Sequence, residues 1–75
     1  MSKRELLAHL AEVGEVDAYE VADALAVSYA TASMALLRAV RAGLVTRSYD
    51  PDTGTFCYSL SARGAERLAY LNNLD

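Results

Sequence analysis

The sequence predicts a small α+β domain, mainly helical: three helices, a two-stranded β-hairpin and a C-terminal helix. Three observations carry this. Apolar residues recur at helical spacing over the first 42 residues and again from residue 62 onward. Between them, residues 44–49 and 55–60 are rich in β-branched and aromatic side chains. These two runs flank Asp50-Pro51-Asp52-Thr53-Gly54, whose residues favour a tight turn. Finally, 75 residues fall below the usual domain size of roughly 100–150, so one core is all the chain can build.

Each element follows from local signals. The first helix, over about residues 2–13, places Leu6, Leu7, Leu10 and Val13 on one face. Ser2 is its candidate N-cap, Glu5 completes a capping-box spacing, and Gly14 is the stop. The second helix, about 18–26, turns Val21, Ala22 and Leu25 inward behind Asp17 and Glu20, which stand in the same relation. Ser28 caps the third, about 29–42, whose inner face is Ala32, Leu36, Ala39 and Val40. Gly43 ends it, and Arg38 and Arg41 complement the negative end of its dipole. In the hairpin, about 44–60, Phe56, Tyr58 and Leu60 alternate with Thr55, Cys57 and Ser59, which predicts one apolar face. Ser61 caps the last helix, about 62–72, with Ala65, Leu68, Ala69 and Leu71 as its apolar positions and Leu74 extending the stripe.

Composition excludes several classes. Ten acidic residues against seven basic ones give a net charge of −3, which argues against non-specific coating of nucleic acid. The charge is uneven, however. Residues 1–23 carry a net −4 and the segment after residue 49 a net −2, whereas residues 24–49 hold three arginines and no acid. One cysteine (Cys57) and one histidine (His9) can form neither an internal disulfide nor a four-ligand zinc site, so no metal and no cofactor are expected. Cys57 reads as an inert thiol and His9 as a packing residue rather than a base. No Gly-rich phosphate loop, nucleophile elbow or paired-acid motif occurs, so no catalytic residue is nominated and an enzyme is not expected. No apolar run approaches the roughly 20 residues that a membrane span needs, and no secretory signal follows the N-terminus. A cytoplasmic protein away from the membrane is the expectation, with Met1 as its natural start.

Two stretches carry a resemblance. The first is Thr31-Ala32-Ser33-Met34-Ala35-Leu36-Leu37-Arg38-Ala39-Val40-Arg41-Ala42-Gly43-Leu44-Val45-Thr46-Arg47, a helix with a Gly-Leu-Val stop and a basic residue beyond it. The second, Tyr58-Ser59-Leu60-Ser61-Ala62-Arg63-Gly64, is similar to a Leu-Thr-x-x-Gly motif that follows a hairpin. Together, residues 6–71 resemble the winged helix-turn-helix domains of MarR-, PadR- and ArsR-type transcriptional regulators, with the subfamily undetermined. The resemblance implies a single winged-helix domain over residues 1–75, with the hairpin as its wing.

It also implies that the helix over 29–42 enters the major groove of double-stranded DNA. The DNA-binding residues would then be Ser28, Tyr29, Thr31, Ser33 and Met34 on the first turns, Arg38 and Arg41 further along, and Arg47 on the wing. The first two turns hold no Arg, Lys, Asn or Gln, so the strong bidentate base contacts are missing. Met34 and Leu37 form a small apolar patch suited to thymine methyls or to another protein. Asp50 and Asp52 put carboxylates at the wing tip, where turn chemistry accounts for them.

In related regulators the first and last helices pair around a two-fold axis. A core this small does not obviously cover Leu6, Leu10, Leu68, Leu71 and Leu74, which makes them the expected homodimer interface. Tyr19 and Tyr70 are further interface candidates. Two functions stay open at this point. One is a small dimeric repressor reading a palindromic operator. The other is a winged-helix module that binds a protein partner through Met34, Leu37 and the acidic surface, without DNA.

Overall fold

The computed structural model describes residues 1–74. It contains α1 (Lys3–Val13), α2 (Ala18–Ala24), α3 (Tyr29–Arg41), β1 (Val45–Asp50), β2 (Thr55–Leu60) and α4 (Ala62–Asn72). All four helices start at a side-chain cap that accepts an N–H from three residues on. Ser2 accepts from Glu5 at 3.1 Å, Asp17 from Glu20 at 2.9 Å, Ser28 from Thr31 at 3.0 Å and Ser61 from Gly64 at 2.9 Å. Each such cap contributes about 1 kcal/mol.

Two helices end in the same way. At the end of α3, Gly43 takes a φ of 78°; its N–H donates to the Val40 carbonyl at 3.0 Å, and the Leu44 N–H donates to Ala39 at 2.9 Å. This is a Schellman motif, which satisfies carbonyls that the helix leaves free. At the end of α2, Ala26 fills the left-handed position with φ 55°. Its N–H reaches Asp23 at 3.4 Å, and the Val27 N–H reaches Ala22 at 3.0 Å. The second helix therefore stops at Ala24, two residues short of the expected end, because the motif reverses the chain at Ala26. The chain bends by 115° between α2 and α3.

Strands β1 and β2 pair antiparallel, from Val45 opposite Leu60 to Asp50 opposite Thr55. A third stub joins them: Val16 and Tyr58 exchange backbone bonds of 3.0 and 2.7 Å, so β2 lies in the middle of the sheet. Helix α4 then docks on the end of α3. The Ser61 hydroxyl donates to the Gly43 carbonyl at 2.7 Å and the Ser61 N–H to Leu44 at 3.0 Å. A Cβ on Gly64 would overlap the Leu44 carbonyl oxygen, so only glycine permits this approach.

The core corrects two expectations. Leu6 and Leu10 are only 3% and 1% exposed, sealed with Leu7, Val21, Leu36 and Tyr58 inside the chain. The helices close over them, so neither is left over for a second copy. Leu68 and Leu71 are partly buried against this core, and Leu74 is 60% exposed. Phe56 was expected on the buried face of its strand with Tyr58 and Leu60, yet it is 43% exposed. The hairpin reaches beyond the core, so Phe56, near its tip, packs against side chains of the hairpin itself such as Arg47 and Tyr49 and stays partly open to solvent. Among the described residues, no single helix is long and apolar enough to cross a membrane.

Candidate nucleic-acid interface

Helix α3 buries Ala32, Leu36 and Ala39 and turns its opposite face outward. At 100° per residue, Ala30, Met34 and Arg41 fall within about 40° of one another on that outer face. Ala30, Met34, Arg38 and Arg41 are all exposed. Arg38 and Arg41 lie in the last turn, where their charge offsets the negative helix end.

The start of α3 is ordered by side chains. Ser28 Oγ accepts the Thr31 N–H at 3.0 Å and donates to Thr31 Oγ1 at 2.9 Å, which leaves the Thr31 hydroxyl its own proton to donate. Tyr29 stacks on Tyr19 of α2, with ring centroids 4.3 Å apart, fixing the two helices against each other where they cross. Ser33 departs from expectation. Its Oγ is buried and has no hydrogen-bond partner, so the hydroxyl faces packed atoms rather than a groove.

On the wing, the Arg47 guanidinium lies 4.4 Å from the Phe56 ring centroid, and Tyr49 meets the same ring edge-on at 5.4 Å. Arg47 is thereby held on an exposed aromatic face. The tip is committed to its turn: Asp50 Oδ1 accepts the Asp52 N–H at 3.0 Å, and Gly54 donates to the Asp50 carbonyl at 2.8 Å. A cleft of about 210 Å³ separates Tyr19 and Tyr29 from Phe56 and Tyr58. A second, of about 390 Å³, lies between the start of α1 and α3, with Lys3, Leu6, Arg38 and Leu44 among its lining residues.

One arginine escaped the sequence reading. Arg63 sits in the net-acidic final segment, yet its side chain packs beside Gly43, within 4 Å of where a Cβ there would lie. The short step from Gly64 to Leu44 brings it to the point where α3 hands over to the wing. The only sequence signal is its place inside the Ser61-to-Gly64 motif. Cys57, by contrast, stays remote from this chemistry. Partial burial and the carboxylates of Glu15, Asp50, Asp17 and Glu20 push its thiol upward, away from the reactive thiolate.

The sequence matches no protein-family model and no curated protein. Solved structures do match. A probable transcriptional regulator from Pseudomonas aeruginosa is 31% identical with a TM-score of 0.84, over 93% of this chain and 54% of that one. A MarR family transcriptional regulator from Silicibacter pomeroyi is 29% identical at 0.84, over 96% and 49%. Mutant MarR from E. coli, complexed with operator DNA, is 20% identical at 0.87, over 96% and 52%. The chain is a winged helix-turn-helix domain with the fold carried by MarR-family transcriptional regulators. It spans about half the length of the solved regulators it matches.

Proposed function

We propose that the chain is the DNA-binding module of a transcriptional regulator, placing α3 in the major groove of duplex DNA with the wing alongside. The observation that carries this is the exposed face of α3, with Arg38 and Arg41, on a fold whose E. coli counterpart was solved on operator DNA. That counterpart favours duplex DNA over a protein-only role. Arg38, Arg41 and Arg47 contact phosphates, Arg63 adds charge at the seam, and Ser28, Tyr29 and Thr31 orient the start of the helix. Two copies acting as a homodimer repressor in the cytoplasm complete the reading, joined through Leu68, Leu71, Leu74 and Tyr70.

Salt titration tests it. Three phosphate-bound arginines per module give a log–log slope of about −2.7, or roughly a 40-fold loss of affinity between about 50 and 200 mM salt. Changing Arg38 and Arg41 to Ala lowers the slope by about one for each arginine removed. Failure to bind random-sequence duplex DNA at the lower salt sinks the proposal.

A further inference from the structure

The outermost line of α3 is unusual for a surface that reads base edges. Its first two turns offer no side chain able to make a bidentate hydrogen bond. Of the hydroxyls nearby, Ser33 Oγ is buried and Ser28 is occupied on both sides by Thr31, which leaves only single hydrogen bonds from Thr31 and Tyr29. Met34 stands out on this face, 50% exposed, flanked on the same line by the methyl of Ala30 one turn before it and by Arg41 about two turns beyond. Ala32 and Leu36, two residues to either side, are fully buried, so Met34 is presented from a packed helix rather than a loop.

The base edges of a major groove carry one apolar group, the C5 methyl of thymine. Methionine is unbranched and polarisable, and it fits itself to such a group without demanding a single geometry. We propose that Met34, with Ala30, determines specificity by packing on thymine C5 methyls, so that preferred duplexes are marked by thymine at the positions α3 meets. This rests on the DNA-binding role proposed above and adds the chemistry by which that surface discriminates. The arginines supply attraction that is blind to sequence, and the thioether supplies the choice.

Deoxyuridine isolates the effect, because it pairs as thymine does and lacks only the methyl. Duplexes are first selected by the full chain from a random-sequence library at about 50 mM salt, and each thymine is then replaced in turn. Replacement at a contacted position weakens the wild-type chain about fourfold per methyl, the equivalent of one buried carbon. Met34→Ala binds the thymine and uracil duplexes equally, whereas Met34→Leu keeps the difference. Met34 lies on the surface, and a thermal melt of each variant verifies that it folds. A uracil series that leaves wild-type affinity unchanged overturns the inference, as does a full uracil penalty in Met34→Ala. In both cases salt-sensitive binding to the selected duplexes leaves the DNA-binding role standing. If the library yields no bound duplex, that role fails first and this inference with it.

Discussion

Ala26 carries a conformation that an L-residue other than glycine, asparagine or aspartate seldom adopts, with φ at 55°. Its Cβ crowds the following carbonyl at a cost of about 1–2 kcal/mol. Ala26→Gly removes that crowding, while the unfolded chain gains freedom worth about 0.4–1 kcal/mol. A net stabilisation of about 0.5–1 kcal/mol should result, raising Tm by about 4 °C in a domain of this size. A variant that melts at a lower temperature would mean the helix-turn-helix corner is not under this strain. Ser33 shows a related point about single residues. Helical spacing places it on the flank of α3, and only the tertiary packing around that flank closes off its hydroxyl.

Among the elements, α3 and α4 are fastened where they meet. Ser61 caps α4 and also donates to the Gly43 carbonyl, so one hydroxyl serves both helices. Ser61→Ala should cost about 1–2 kcal/mol, at the upper end of the range for a lost cap. Gly64→Ala is harsher, because the added Cβ meets backbone at Leu44 and the Leu60 side chain at 2.8 Å. A loss of about 3 kcal/mol or more is expected, lowering Tm by more than about 12 °C. Thermal unfolding of both variants checks the order, and an unperturbed Gly64→Ala would refute the close approach.

These elements also show what the sequence makes legible. The four caps and the Gly43 stop could be read directly, because a cap and its partner lie within three or four residues. The Val16–Tyr58 pairing could not, since one bridge residue has no periodicity and its partner is 42 positions away. The exposure of Phe56 depends on how far the hairpin outruns the core, which alternation alone does not encode. For the candidate site, Arg38, Arg41 and Met34 were visible from helical spacing. Arg63 was not, because only the docking of α4 brings it beside Gly43.

At the scale of the whole molecule, Leu74 and Tyr70 are each 60% exposed at the end of α4, next to the partly buried Leu68 and Leu71. If two copies join there, sedimentation at micromolar concentration returns about twice the 8.1 kDa of one chain. A Leu74→Glu, Tyr70→Glu double variant then sediments as a single chain with its thermal stability kept, since neither side chain belongs to the core. A wild-type chain that runs as a single copy removes the dimer from the proposal and leaves one module per site.

The shared hydroxyl of Ser61 has a mechanical consequence. Because the end of α3 and the beginning of α4 are pinned together, the joint at Gly43 acts as the fulcrum of a lever whose long arm is α3. Thirteen residues make that arm about 20 Å long, so a tilt of about 5° at the fulcrum sweeps its far end by about 1.7 Å. A pivot at Gly43 would therefore displace Ser28 and Tyr29 most, and the Tyr19–Tyr29 stack stands where it opposes that displacement. The same leverage makes the aim of the helix sensitive to small distortions at Gly43 and Ser61, two residues that lie outside α3.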